Sequence, residues 1–215
     1  MGLADISVFF DFDGTVTRRD TAVHVLERLA EGDWRALSAA YAAGSIGGRE
    51  CIQQEWALVR SAGEATLRST AAEVEVDPAF VPLVAALRSA GAEVTVVSDG
   101  FGFHASTTCD AAGVPVLTNA VDWTTGELTF PNLDRCCPCS TCGTCKQAPL
   151  KDARRRGRTT VFVGDGISDR KAALLADVLF AKDNLADWCD DSGVDYRPFA
   201  TLADVGRGLG LHLAD

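Results

Sequence analysis

Four short apolar runs do most to constrain what this chain can fold into: Ile6 to Phe10, Glu93 to Val97, Thr159 to Val163 and Val178 to Ala181. A strand covered on both faces has no solvent side to alternate with, so it reads as a continuous apolar run rather than a period-two pattern. Helical patterns lie between these runs. Pro78 to Ala90 has Pro near its start and Gly91 at its end, the usual helix asymmetry. Ser168 to Ala176 and Leu185 to Asp191 read the same way. Strands alternating with helices predict an α/β fold, a Rossmann-like doubly wound parallel sheet with helices on both faces.

Two segments break the rhythm. From Arg18 to Val76 no strand signal occurs, and the Ala-, Leu- and Glu-rich composition favours several helices in succession. That predicts an inserted helical cap over residues 17–77, with residues 1–16 and 78–215 forming the core. From Val116 to Leu133, Thr124-Thr125-Gly126-Glu127 separates two apolar stretches and predicts a hairpin. A length of 215 residues suits one α/β domain with such an insertion.

The chemistry is written at the strand ends. Asp11-Phe12-Asp13-Gly14-Thr15 follows the first run, and residues i and i+2 leave a strand on the same side, so Asp11 and Asp13 can converge. Crowded carboxylates repel, and a divalent cation among them makes the cluster tolerable. Taken alone, the pentapeptide reads equally as a turn with two solvated acids. Gly164-Asp165-Gly166-Ile167-Ser168-Asp169 repeats the arrangement after the third run. Parallel strands present their carboxyl ends along one edge, where ligands bind, so Asp165 and Asp169 are expected at the same edge as Asp11 and Asp13. Ser98-Asp99-Gly100 ends the second run with a hydroxyl and a flexible backbone able to donate to phosphate oxygens, although Ser-Asp-Gly is also an ordinary turn. Lys146 would add a point positive charge.

In that order, the aspartate pair, Ser98, Lys146 and the 164–169 turn match the four motifs of the haloacid-dehalogenase-like (HAD) phosphohydrolases, and the chain resembles that family over nearly its whole length. The insertion is similar to the cap of the phosphoserine-phosphatase-like subgroup. Within it, Ser98-Asp99-Gly100-Phe101, Cys142-Gly143-Thr144-Cys145-Lys146 and Phe180-Ala181-Lys182-Asp183 most resemble the methionine-salvage phosphatases acting on 2-hydroxy-3-keto-5-methylthiopentenyl-1-phosphate. Asp99 stands where phosphoserine phosphatase usually has Gly, which weighs against phosphoserine as substrate. The resemblance implies a phosphomonoesterase acting on a small phosphorylated metabolite. It implies Asp11 as nucleophile and Asp13 as general acid and base. Mg²⁺ would be held by Asp11, the Asp13 carbonyl and Asp165, with Asp169 ordering its shell. Ser98, Asp99, Gly100 and Lys146 would bind the phosphate. A phosphotransferase using the same intermediate is the nearest alternative. Dehalogenation is disfavoured, because it has no need of the acid and base that Asp13 supplies.

Five of eight cysteines fall between Cys136 and Cys145. Their density makes Cys136, Cys139, Cys142 and Cys145 a candidate Zn²⁺ or iron–sulfur site. A reduced loop on the rim of the site and a reversible disulfide stay open as alternatives, as does a metal- or redox-responsive protein working through this loop. Cys51, Cys109 and Cys189 read as small buried hydrophobes, and the four tryptophans as packing residues. His24 and Arg49, in the insertion, are candidate contacts to the leaving group, against the plainer reading of surface positions; His104 has no partner pattern.

Thirty acidic residues against twenty basic ones give a net charge of −10, which argues against a nucleic-acid or anionic-membrane surface. It leaves room for an anionic small substrate, since one lysine and a bound cation can reverse the field within a pocket. The first apolar run stops at Asp11, too short for a signal core or a membrane helix, and a cytoplasmic location is expected.

Overall fold

A computed structural model describes residues 3–135 and 141–213. The chain runs through β1 (Ile6–Phe10), then α1 (Thr21–Leu29), α2 (Trp34–Ala42), α3 (Gly48–Val59) and α4 (Glu64–Ala71). Next come α5 (Phe80–Ser89), β2 (Glu93–Val97), α6 (Phe103–Ala111) and β3 (Val116–Leu117), then a hairpin of β4 (Ala120–Asp122) and β5 (Glu127–Thr129). The remainder holds α7 (Gln147–Arg155), β6 (Thr159–Gly164), α8 (Arg170–Ala173), β7 (Val178–Ala181), α9 (Asp183–Ser192), β8 (Arg197–Pro198) and α10 (Leu202–Gly208).

All strands of the main sheet are parallel, in the order β3-β2-β1-β6-β7-β8. β1 is buried at every position because both of its faces are covered. Ile6, Val8 and Phe10 join Phe80, Leu83 and Leu87 of α5 and Leu202 and Val205 of α10 in one core. Phe9 points into the other core, with Leu150 and Ala153 of α7 and Leu185 and Cys189 of α9. Fully burying a side chain of this kind contributes roughly 1.5–3 kcal/mol, so β1 anchors both layers. Its two neighbours, β2 and β6, lie on opposite sides, so the strand order reverses at β1 and opens a crevice beyond the strands' carboxyl ends.

Two expectations from the sequence need correcting. Val116 and Leu117 belong to the main sheet, paired with Val96 and Val97, and only residues 120–129 form the hairpin. The helix expected over Ser168 to Ala176 is a 3₁₀ turn, Ile167–Asp169, followed by the four-residue α8. The Asp169 carboxylate turns back to accept the backbone N–H groups of Asp165 and Gly166, which tightens this turn.

The helices inserted after β1 have a core of their own, built on Val25, Leu26, Trp34, Ile52, Trp56 and Val59. Phe101 and Phe103 belong to it, and the hairpin's Val121, Trp123 and Leu128 pack against it. Trp56 meets Phe101 edge-on at 5.3 Å and donates its indole N–H to the Gly126 carbonyl at 2.9 Å. The hairpin thus serves the inserted helices rather than the sheet. Where the chain leaves and re-enters the core, Thr17 and Val76 form an antiparallel bridge, and the Asp77 N–H donates to the Val16 carbonyl at 2.8 Å. No helix among the described residues is long and apolar enough to cross a membrane.

Candidate active site

β1, β2 and β6 end side by side and deliver Asp11, Ser98 and Asp165 to one edge of the sheet. The Asp11 N–H still pairs with the Val163 carbonyl at 2.9 Å, so the first acid sits at the last ladder position. Beyond it the chain coils tightly, with the N–H groups of Thr15, Val16 and Thr17 all directed at the Phe12 carbonyl. Gly14 makes this coil feasible. Its φ is +84°, and a Cβ there would lie 2.4 Å from Asp165 Oδ2, so only glycine fits against the facing acid.

Asp11, Asp165 and Asp169 each offer an oxygen, all within 4.8 Å of one another. Burial, then the Asp169 charge, holds Asp11 well above the usual carboxylate range. The same two causes raise Asp165 to about 7, although the Thr15 hydroxyl donates to its Oδ1 at 2.5 Å. Lys146, buried just ahead of α7, supplies the countercharge. Its Nζ donates to Asp11 Oδ1 at 2.5 Å, Asp169 Oδ1 at 2.7 Å and the Ser168 hydroxyl at 2.8 Å. Burial opposes the ammonium, yet Asp11 and Asp169 outweigh it and hold the lysine above its ordinary value. Three crowded carboxylates against one ammonium leave excess negative charge in a recessed site. That donor set fits a hard divalent cation, which would return Asp11 and Asp165 to their anionic forms.

The second strand end serves Asp13. The buried Ser98 hydroxyl donates to Asp13 Oδ2 at 3.0 Å and accepts the Gly100 N–H at 3.1 Å. A Cβ on Gly100 would approach Asp13 Oδ2 to 2.5 Å. Asp99 ties this loop to the lysine loop, its Oδ1 accepting the Thr144 N–H at 2.7 Å. Burial raises the Asp99 carboxyl to about 6, against that hydrogen bond and the nearby Lys146. Asn119, fully buried between the loops, donates to the Gly100 carbonyl at 2.8 Å and to Asp99, and accepts the Thr144 hydroxyl at 3.0 Å.

Asp11, Asp13, Asp99, Gly100, Lys146 and Asp165 therefore face one cavity of about 390 Å³. Ser98 and Asp169 act on it through their bonds to Asp13 and Lys146. The opposite wall comes from the inserted helices, and there the sequence reading missed residues. Asp20 caps α1, accepting the Val23 N–H at 2.8 Å, and burial and then Asp13 raise it to about 7. Glu55, buried and raised by that burial, accepts the Ser38 hydroxyl at 2.9 Å. An Asp directly before a helical segment was the available signal for Asp20, and it points to a cap rather than a site. His24 and Arg49 do not line the cavity. His24 is buried with its Nε2 3.0 Å from Glu73, and the Arg49 N–H donates to the Thr141 carbonyl at 2.8 Å. Of the cysteine cluster, Cys136 and Cys139 lie outside the described residues; Cys142 is half-buried and Cys145 buried.

Comparison with known proteins agrees with this geometry. The family model described as haloacid dehalogenase-like hydrolase matches residues 8–174. The chain is 30% identical over 210 residues to the 2-hydroxy-3-keto-5-methylthiopentenyl-1-phosphate phosphatase of Brevibacillus brevis, covering 94% of each protein. It is also 30% identical to the enzyme of that name from Geobacillus kaustophilus, covering 92% of each. Among solved structures, a phospho-aspartyl intermediate analogue of phosphoserine phosphatase superposes with a TM-score of 0.72 at 18% identity, over 95% of this chain and 98% of that one. The chain belongs to the haloacid dehalogenase-like hydrolase family, and it shares its fold with phosphoserine phosphatase.

Proposed function

We propose that this chain hydrolyses small phosphate monoesters with the help of Mg²⁺, by way of a phosphorylated Asp11. The observation that carries the reading is the placement of Asp11 and Asp13 on one cavity wall, the first beside Lys146 and two further carboxylates, the second held by Ser98. In the first step an Asp11 oxygen attacks phosphorus in line, and the bond to the leaving oxygen breaks as the Asp11–phosphorus link forms. Asp13 gives its proton to that leaving oxygen. In the second step water attacks phosphorus, Asp13 takes the water's proton, and inorganic phosphate departs as Asp11 is released. Lys146 and the backbone N–H of Asp99 offset the charge gathering on the phosphoryl oxygens, while Ser98 acts through its hydrogen bond to Asp13. Mg²⁺ held by Asp11, Asp165 and Asp169 would add positive charge beside the same oxygens.

Residues 17–77 act in this reading as a cap that keeps bulk water from the phosphoryl group. Their contribution to the cavity includes Ala22, Val23, Leu26 and Ile52, an apolar surface suited to an uncharged carbon chain. Among the lining residues Lys146 is the sole cation, and it is already engaged by two carboxylates. A leaving group without a carboxylate suits this wall, and the relatives named for a methylthiopentenyl phosphate support the same class.

The test is phosphate release from a panel of alkyl phosphates, with and without Mg²⁺, by the wild type and Asp11→Asn. Release that requires Mg²⁺ and is abolished in the variant is the expected result. An inert wild type, or an Asp11→Asn protein with undiminished turnover, would overturn the reading.

A further inference from the structure

A second, much smaller cavity lies beside Asp13, between the start of α1 and the start of α6, with a volume of about 10 Å³. That is the lower limit for holding one water molecule, and a water so placed needs polar partners. The polar side chains lining it are Asp13, Thr21 and His104. Thr21 Oγ1 and His104 Nε2 are both buried, and neither finds a hydrogen-bond partner among the described residues. Two such atoms at one small void are uncommon, because a buried polar group without a partner is costly. The site is also stiff. The His104 ring packs edge-on against Phe12, the residue between the two acids, with centroids 5.5 Å apart. Gly102, at φ +87°, starts α6 so tightly that a Cβ there would run into the Asn119 carbonyl. Burial holds the His104 imidazole below its ordinary value against the pull of Asp13, and a neutral ring nitrogen can donate or accept as its partner requires.

We propose that one ordered water in this cavity joins His104 Nε2 and Thr21 Oγ1 to the Asp13 carboxyl, making His104 and Thr21 positioning residues for proton delivery to the leaving group. The inference rests on the phosphatase reading above. Ser98 tethers one oxygen of Asp13, and a hydrogen bond from the water fixes the carboxyl's rotation, so that the proton points at the leaving oxygen. His104 and Thr21 do not themselves touch substrate in this account; they act through Asp13.

The test exploits leaving groups. 4-Nitrophenolate departs without needing a proton, whereas an alkoxide does not. kcat/KM reports the steps up to departure of the leaving group and excludes hydrolysis of the phosphorylated enzyme. It would be measured on 4-nitrophenyl phosphate and on the best-cleaved of butyl phosphate, glycerol phosphate and phosphoserine. The proteins compared are wild type, His104→Leu, His104→Gln and Thr21→Val. The Leu and Val variants are expected to lose about tenfold or more on the alkyl phosphate and less than about twofold on the nitrophenyl ester. His104→Gln, which places an amide near the lost Nε2, is expected to recover most of the loss. Equal losses on both substrates, no loss on either, or a Gln variant as impaired as Leu would overturn the inference. A wild type that cleaves none of the alkyl phosphates overturns the phosphatase reading and this inference with it. An active wild type with uniform losses overturns the inference alone.

Discussion

Asn119 Oδ1 accepts the Thr144 hydroxyl at 3.0 Å, and through this bond the loop after β2 and the loop carrying Lys146 are held as one body. The amide nitrogen of Asn119 completes the link by donating to the Gly100 carbonyl. Removing the side chain leaves buried acceptors and a buried hydroxyl without partners, at about 1–3 kcal/mol each where water cannot enter. Asn119→Ala is expected to lower stability by roughly 3 kcal/mol. It is also expected to lower kcat/KM by about tenfold, because Ser98 and Lys146 lose their common reference. Urea denaturation and phosphate release measure the two effects. A variant with normal stability and activity would show that the loops are held independently.

Gly14 faces Asp165 so closely that the two cannot be varied separately. A Cβ at residue 14 would press to 2.4 Å on Asp165 Oδ2 in a backbone region that L side chains rarely adopt. Gly14→Ala is expected to displace the carboxylate and raise the Mg²⁺ concentration for half-maximal activity at least about tenfold. Gly44→Ala supplies the control. Its φ is +73° but nothing lies within 4 Å of the added methyl, so it carries the backbone strain without the collision. If both variants respond to Mg²⁺ alike, the contact with Asp165 is not what matters.

The contrast between Gly14 and Asn119 shows what was legible in the sequence. The buried strands and the acidic turns after them are local patterns, an apolar run followed at once by polar residues, and all four runs became strands of the sheet. Asn119 left no such trace, since its partners lie in loops around residues 99 and 144 and only folding brings them together. β3 has two residues, too few to show a period, and joined an apolar stretch that reads as part of the hairpin. Asp20 caps a helix and Glu55 sits on one, places where an acid ordinarily faces solvent, and only the cavity gives them a different meaning. His104 was invisible as a site residue for the same reason. Its neighbours Thr21 and Asp13 come from the start of α1 and the turn after β1, far earlier in the chain.

The acids of the site also set a pH dependence of stability. Asp20 and Asp165 are both raised from 3.8 to about 7 in the folded chain. An acid whose pKa is raised on folding binds more protons in the native state than in the unfolded one. Its contribution is therefore fully present below the unfolded pKa and is lost as pH rises through the folded value. The metal-free protein is thus expected to lose stability from about pH 4 to just above pH 7, with Tm falling by on the order of 5 °C. Mg²⁺ should restore part of this loss at the alkaline end, where the carboxylates it binds are ionised. Asp20→Asn should flatten the slope in chelator while leaving the Mg²⁺ response in place, because Asp20 is not one of the three converging carboxylates. Thermal melts across this range, in chelator and in Mg²⁺, check the sign. A Tm that climbs with pH in chelator would contradict it.

Charge on the leaving group is the remaining discriminator. The wall that receives it carries Asp20 and Glu55, with Asp99 lining the cavity from the loop after β2, while the cavity's one lysine is spoken for by Asp11 and Asp169. A substrate carboxylate placed there meets like charge in a recessed, weakly screened setting. An uncharged alkyl chain meets Leu26 and Ile52 instead. Phosphoserine is therefore expected to show a kcat/KM at least about tenfold below that of butyl phosphate, a difference of ~1.4 kcal/mol. Glu55→Gln removes one negative charge without changing side-chain size, and it should narrow that ratio severalfold, chiefly through KM for phosphoserine. Added salt should narrow it less, because the acids lie within the cavity rather than on the surface. Equal efficiency on the two substrates in the wild type would mean that the carboxylate of phosphoserine finds a cation outside this wall, and the charge of the inserted helices would then have no part in choosing the substrate.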